Sequence, residues 1–305
     1  MECSRCDAPA VVHQAYSGQH LCQRHLRDSI ERRVKARVRE DHLLEDDERW
    51  VVGLSGGKDS GVLLDVLARC FDDDPSVELV ALTLDEGIAG YRDRAVETAR
   101  QLTRRLDVEH AVVEFDDEFD VRVDRELQTL DSKPCAGCGV LRRTALNRHA
   151  ERLDATKLLT GHNLDDVAQT ALMNFLDGAV DRMARHYRAS LSTEEHDDFV
   201  RRAKPLRDVP EKEVAVYAQV EDVPVYHDEC PNADGATRGE IRDMLLEHES
   251  RHPGTRHSLV NAYEEIGSQL DWSDRDLRAC TRCGEPTGAD NELCRACSML
   301  EAVDV

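Results

Sequence analysis

Lysine is nearly missing from this 305-residue chain, with six lysines against 34 arginines. Aromatic residues are scarce too, at 4%. No apolar run approaches the roughly 20 residues that cross a bilayer, and no signal-like segment opens the chain. These absences lead us to expect a soluble, cytoplasmic protein with no membrane partner. Positive charge falls short as a whole: 40 Lys plus Arg face 62 Asp plus Glu, a net charge of −22. Such a carboxylate excess with few aromatics suits a high-salt cytoplasm, that of a halophile, where it keeps a protein hydrated. It argues against a nucleic-acid partner unless arginines cluster locally, because molar salt screens repulsion beyond about 3 Å. Disulfide-scaffold spacing is lacking as well. The eleven cysteines form three groups and leave Cys70 over, a small hydrophobe on the inner face of the first core helix.

The first group, Cys3-x2-Cys6, fifteen residues, then Cys22-x2-His25, has the spacing of a tetrahedral zinc site with three thiolates and one imidazole. His20 is the alternative fourth ligand. The last group, Cys280-x2-Cys283, ten residues, then Cys294-x2-Cys297, reads as a zinc ribbon with four thiolate ligands. Each module is too short to build its own core, so metal would fold it.

Between them, an apolar strand, Trp50–Leu54, runs into Ser55-Gly56-Gly57-Lys58-Asp59-Ser60, and a helix follows to Phe71. Glycines let the backbone approach a ligand, and the helix start with Lys58 favours an anion, most simply a phosphate. This is not a Walker A loop, which needs Gly at the place of Val52 and Ser or Thr where Asp59 stands. The plain alternative is a tight strand-to-helix turn. Strands at Leu79–Leu84, Ala111–Phe115 and Leu158–Thr160 alternate with helices at Tyr91–Leu106, Phe119–Leu130 and Leu141–Leu153, so the expectation is an α/β domain on a parallel sheet. The glycine loop, the turn after Thr83 and the turn Gly161 to Asp166 should then converge beyond the strands' carboxyl ends. Asp165 and Asp166 are either a helix cap or, with His162 and Asn163, part of an ATP or magnesium site. Ser190–Asp198 reads as a mobile connection. Helices are expected up to Val220, at Thr237–Ser250 and at Arg256–Leu270.

Pro134-Cys135-Ala136-Gly137-Cys138 has no second nearby pair, and its third partner is Cys230. Three thiolates do not close a zinc site. They suit an iron–sulfur cluster with one iron unligated by protein, a redox pair carrying a persulfide, or an incomplete zinc site, and spacing does not choose among these. Arginines cluster after it: Arg142 and Arg143 with Arg148 and Arg152, then Arg182, Arg185 and Arg188, then Arg201, Arg202, Lys204 and Arg207. They either contact an RNA backbone, with Arg142, Arg143, Lys204 and Arg207 as candidates, or balance neighbouring carboxylates.

A zinc finger, SGGKDS, PCxxCGxxRR, GHNLDD, KPLRxxPEKE, a late single Cys and a zinc ribbon occur in that order. Nearly end to end, this resembles the tRNA 2-thiolation enzymes of the TtuA/TtcA/NcsA group, within the PP-loop ATP pyrophosphatases. It looks closest to the subgroup with both terminal zinc modules, the archaeal NcsA and eukaryotic cytosolic wobble-uridine thiolases. The resemblance implies a PP-loop, adenine nucleotide alpha hydrolase-like domain over 49–230. A zinc finger (1–26) and linker helix (27–48) would precede it; helices (231–275) and a zinc ribbon (276–305) would follow. It implies adenylation of a tRNA uridine by ATP, then displacement of AMP by sulfur. It also implies a 4Fe–4S cluster on Cys135, Cys138 and Cys230, a ubiquitin-like thiocarboxylate as sulfur donor, and a homodimer. Ser55, Gly56, Gly57, Lys58, Asp59 and Ser60 would hold pyrophosphate and Leu54 would also bind ATP, with Lys58 and the backbone donors stabilising charge and Asp59 positioning Mg2+ or a cationic side chain. Backbone near Thr83 would receive adenine, Gly161 would lie against the nucleotide, and Asp166 would orient it or its magnesium. Many members carry an acidic residue after the paired aspartates, where this chain has Val167.

The expected product is 2-thiouridine at the wobble position. T-loop uridine and cytidine thiolation and lysidine-type ligation are rival reactions. The two zinc modules oppose cytidine thiolation, and the three extra thiols oppose ligation. A zinc-dependent tRNA-binding scaffold is the non-enzymatic rival, opposed by the presence of Lys58, Asp59 and Asp166.

Overall fold

A five-stranded parallel sheet sets every loop that matters. The computed structural model describes residues 1–71, 73–129, 134–180, 182–183, 200–232, 237–270, 277–288 and 290–303. A small hairpin, β1 (Val12–Gln14) and β2 (Gln19–Leu21), opens the chain. Helix α1 (Gln23–Glu40) follows at once, so the expected linker helix begins inside the first metal module, and His25 lies in its first turn. Leu26, Ile30, Val34 and Val38, four residues apart, form the buried stripe that seats α1 on the main domain.

The sheet contains β3 (Glu48–Gly53), β4 (Val77–Asp85), β5 (Glu109–Glu114), β6 (Lys157–Thr160) and β7 (Arg201–Ala203), in the order β5-β4-β3-β6-β7. All four pairings are parallel. Helices α2 (Lys58–Phe71) and α3 (Arg92–Leu106) make the crossovers on one side of β3. The chain then steps to the other side of β3 for β6, so the switch point of the sheet lies between β3 and β6. The loops leaving those two strands, 54–57 and 161–163, are therefore neighbours.

Three expectations are corrected. The acidic helix expected at Phe119–Leu130 is instead a short helix, α4 (Phe115–Phe119), and a 3-10 turn at Glu126–Thr129. Asp120 ends α4 in the left-handed conformation (φ 56°), and Val121, Val123 and Leu127 are then buried. Leu130 lies outside the described residues. Helix α5 begins at Pro134 rather than Leu141 and runs to Arg152. Proline suits a first helical position, having no N–H to leave unpaired. Cys135 and Cys138 thus stand three apart on one helical face. Finally, β7 was not expected, because its three residues, Arg-Arg-Ala, read as part of a basic cluster.

Helix α6 (Leu164–Leu176) follows β6, and α7 (Glu211–Val220) follows β7. Then come α8 (Thr237–Arg251) and α9 (Thr255–Gln269), both packed on α6, and a ribbon of β8 (Leu277–Ala279), β9 (Pro286–Gly288) and α10 (Arg295–Ala302) packed on α5. The stretch 190–198 and residues Arg185 and Arg188 lie outside the described residues. Among the described residues no helix is long and apolar enough to cross a membrane.

Candidate nucleotide and sulfur-transfer site

The glycine turn is closed by its own serines. Ser55 N–H donates to Ser60 Oγ at 3.0 Å, Gly57 N–H to Ser55 Oγ at 3.3 Å, and Ser60 Oγ to the Gly57 carbonyl at 3.2 Å. Gly56 adopts φ +85°, and a Cβ there would meet the Ala95 carbonyl oxygen at 2.3 Å. No other residue fits. Across the switch point, a Cβ on Gly161 would lie 2.7 Å from the Asp59 backbone, so the two loops touch only because Gly161 has no side chain.

Asn163 joins them chemically. Its Nδ2 donates to Asp59 Oδ1 at 2.9 Å, while its Oδ1 accepts from the N–H groups of Asp165 and Asp166 at 2.9 and 3.2 Å. Asp166 returns the favour by accepting from Asn163 N–H at 3.1 Å, completing a capping box. Capping and site roles thus coexist. Burial and the nearby carboxylates of Asp59 and Glu211 hold Asp166 above its ordinary value, against the Asn163 N–H, which is the electrostatic signature of a place that wants a cation. Lys58 supplies one. Its Nζ donates to Glu211 Oε1 at 2.7 Å and Asp59 Oδ2 at 3.0 Å. Burial alone would lower its pKa, but these carboxylates raise it above the usual value, so it stays charged.

A cleft of about 260 Å³ opens on this turn, bounded by Leu54, Ser55, Asp59, Ser60, Gly161 and Asp166 on one side and by Leu82, Leu84, Glu86, Arg92 and Arg142 on the other. Thr83 is not on its wall. Strand alternation turns it to the other face, where it is fully buried and its hydroxyl donates to the Leu54 carbonyl at 2.7 Å. A roomier hollow, about 560 Å³, lies at the α3–β5 edge and contains none of the site groups.

Arg92, which motif reading did not single out, braces the cleft. It donates to the Ser55 carbonyl at 2.9 Å and to the Leu84 carbonyl, and pairs with buried Glu86 at 2.5 Å. Glu86 also pairs with Arg142 at 2.6 Å, and the same Arg142 nitrogen is 3.9 Å from Cys138 Sγ. A second tie runs along the backbone, where Tyr226 N–H donates to the Gly56 carbonyl at 2.9 Å and so holds the segment leading to Cys230 against the glycine turn.

Of the three thiols, Cys135 is exposed, Cys230 half-buried and Cys138 buried among Leu127, Leu141 and their neighbours. Burial pushes the Cys138 thiol up to about 11, opposed by Arg142 and reinforced by Glu86, Cys230 and Cys135. Cys135 Sγ donates to the Asn232 carbonyl at 2.6 Å. The three sulfurs are not all within 4.8 Å of one another. One tetrahedral ion would require that. A cubane would not, because each thiolate meets a different iron. Three thiols, two of them in one apolar cluster and with no fourth cysteine left to join them among the described residues, fit a cluster with one iron unligated by protein.

Both terminal sets do converge within 4.8 Å: Cys3, Cys6, Cys22 and His25, and Cys280, Cys283, Cys294 and Cys297. His25 Nδ1 lies 3.2–3.6 Å from the other three ligand atoms of its set. His20 instead stacks on His13 at 4.3 Å. Arg5 N–H points at Cys3 Sγ and Cys294 N–H at Cys280 Sγ, at 3.4 and 3.2 Å. Though burial opposes it, such N–H groups bring Cys3 and Cys280 down to about 6, as thiolate ligands require.

The basic residues divide. Arg207 is a correction: it is buried and ion-paired with Glu264, which leaves little of it for an RNA backbone. Arg148 and Arg152 pair with Glu118, and Arg182 with Asp177. Arg142 is committed to Glu86. Arg143 is exposed, and Lys204 is half-buried, pushed down to about 7 by burial and by Arg207. Arg238, unnoticed in the sequence, bridges α8 to Asp166 (3.5 Å) and Thr170 (3.0 Å).

A family profile described as a PP-loop domain matches residues 26–249, and one described as the N-terminal LIM domain of 2-thiouridine synthetase TtuA matches residues 2–27. The tRNA 2-thiolation protein NcsA of Haloferax volcanii is 48% identical, over 100% of this chain and 99% of its own length. A probable sulfurtransferase of Methanocaldococcus jannaschii is 32% identical over 98% of this chain and 87% of its own. Among solved structures, the U34-tRNA thiolase NcsA of Methanococcus maripaludis, with its [4Fe-4S] cluster, superposes with a TM-score of 0.87 at 31% identity, covering 99% of this chain and 96% of that one.

Proposed function

Because this chain belongs to the tRNA 2-thiolation family of PP-loop proteins, we propose that it is an ATP-dependent tRNA sulfurtransferase acting on the wobble uridine. The uridine C2 oxygen attacks the α-phosphorus of ATP and pyrophosphate leaves. Sulfur then adds at C2, and AMP departs with the oxygen. The observation that carries this reading is the shared wall: Arg142 lines the nucleotide cleft and reaches Cys138, while Tyr226 holds the Cys230 segment on the glycine turn. Activation and sulfur delivery thus lie on opposite sides of one guanidinium.

The serines and N–H groups of residues 55–60 hold the pyrophosphate end, and Lys58 stabilises charge as the anhydride breaks. Leu82, Leu84 and the backbone around them receive the adenosine. Asp59 and Asp166 are the carboxylates for Mg2+. Cys135, Cys138 and Cys230 would hold a 4Fe–4S cluster, which would supply a Lewis-acidic seat for sulfur without net redox change. Arg143, Lys204 and Arg238 are the basic residues we assign to tRNA contact. The two terminal modules would each hold one Zn2+, so metal analysis should return two zinc ions per chain; one or none would remove that assignment. A ubiquitin-like thiocarboxylate as donor, a homodimer and a cytoplasmic setting complete the proposal. A reconstituted reaction that runs on free sulfide and not on the thiocarboxylate, or a monomer by light scattering, would strike out the first two.

Cys135→Ala tests the central reading. It should abolish 2-thiouridine in tRNA, measured by mass spectrometry, and leave ATP affinity within about twofold. Thiolation by the variant would refute the role of the trio. Loss of ATP binding as well would show that the substitution damages the fold rather than the chemistry.

A further inference from the structure

The donors of the glycine turn are backbone and hydroxyl groups fixed by the fold, with one exception. Lys58 reaches its ligand on a four-carbon stem, which carries more rotamer entropy than almost any other side chain. Something must hold that stem for the ammonium to act without reorganising; Asp59 Oδ2 accepts from it at 3.0 Å, while the other Asp59 oxygen accepts from Asn163. The closest group to Lys58 Nζ is Glu211 Oε1, at 2.7 Å.

Glu211 stands on an unusually well-anchored turn. Asp165 Oδ2 accepts from its backbone N–H at 2.8 Å, fixing the start of α7 to the start of α6. Two residues on, Glu213 is buried and faces the other way. It accepts from Gln14 Nε2 at 3.0 Å, from Tyr16 Oη at 2.8 Å and from Arg33. The first turn of α7 is therefore pinned by Asp165 on one side and by the N-terminal module and α1 on the other. From this pinned turn one partly exposed carboxylate reaches the glycine loop.

We propose that Glu211 is a positioning residue for adenylation: its carboxylate fixes the Lys58 ammonium at the start of α2, in place for the charge that develops as pyrophosphate leaves. The proposal rests on the adenylation reading above. A carboxylate beside an anion's seat weakens ground-state binding, so it makes sense only if what it contributes appears in the transition state. That contrast gives a signature which a merely structural contact lacks.

The test is a double-mutant cycle of Glu211→Gln, Lys58→Ala and the pair, with the full chain, tRNA and ATP. Pyrophosphate release and ATP affinity by calorimetry are both read. Glu211→Gln should slow release about tenfold or more while ATP affinity holds or rises. In the Lys58→Ala background the same change should alter release less than about twofold. An equal slowing in both backgrounds, or none in either, overturns the proposal. If Glu211→Gln fails to fold, Glu211→Asp shortens the reach by one methylene and is read the same way. If the unaltered protein binds ATP but releases no pyrophosphate with tRNA, the adenylation reading has failed on its own account. The cycle in ATP affinity then still decides: coupling between the two residues below about twofold would remove Glu211's role.

Discussion

Gly161 has no side chain and no space for one. Placing a methyl 2.7 Å from the backbone of Asp59 and Ser60 must push the glycine turn and the Asn163 cap apart. Gly161→Ala should therefore weaken ATP binding about tenfold or more, roughly the 1.4 kcal/mol of one lost interaction, with the melting temperature little changed. Near-normal affinity by calorimetry would mean the loops yield easily. His110 offers a second residue-scale check. Thr83 gives its only hydroxyl proton to Leu54, so the His110 Nε2 lying 2.7 Å away must be the donor, which sets a neutral tautomer. Burial, aided by Arg100 and Arg104, holds this imidazole down at about 4. The unfolded chain takes up that proton near pH 6.5, the folded one only near 4. Stability is thus complete above about pH 6.5 and is lost as pH falls toward 4. His110→Gln, which can still donate to Thr83, should flatten that limb in urea titrations run at pH 7 and pH 5; an unchanged slope would assign the acid loss to other groups.

At the scale of elements, the first turn of α7 joins parts of the chain that are distant in sequence. Glu213 is 3% exposed in its side chain and its partner Arg33 18%, so removing the carboxylate strands a largely buried guanidinium. Glu213→Ala should cost about 3 kcal/mol or more in denaturant unfolding; under 1 kcal/mol would mean water reaches Arg33 freely. Such links explain what could be read from sequence and what could not. Helix α2 and the strands β3, β4 and β6 show in their apolar runs, the glycine turn shows in its residues, and both terminal metal sets show in their spacing, because each is a local pattern. The false helix at 119–130 arose because an acidic run looked like a solvated face, whereas Asp120 reverses the chain and Val121, Val123 and Leu127 turn inward. The arginines misled for the opposite reason. Nothing local tells Arg207 that Glu264 faces it, or Arg142 that Glu86 does. Arg92 and Tyr226 reach the site only through tertiary contacts, and no spacing rule singles them out; Glu211 lies in the PEKE run, but nothing local shows that it faces Lys58.

For the whole molecule, a net charge of −22 means the folded state repels itself. Many arginines are used up in specific pairs, such as Arg49 with Glu78 and Glu109 or Arg105 with Asp65, leaving the remaining carboxylates uncompensated. Raising KCl from about 0.2 M to 2 M should screen that repulsion and lift the melting temperature by roughly 5 °C or more. A fall with salt would mean the ion pairs outweigh the repulsion.

The C-terminal ribbon shares one apolar cluster with Cys138. Cys280, Cys294 and Cys297 pack there, Met299 lies against Gly137, and Arg148 reaches from α5 to Glu285. The ligand set proposed for zinc is thus also the roof over the helix that carries Cys135 and Cys138. If that set holds zinc, metal supply becomes a dial on decoding: a cell starved of zinc should accumulate unthiolated tRNA.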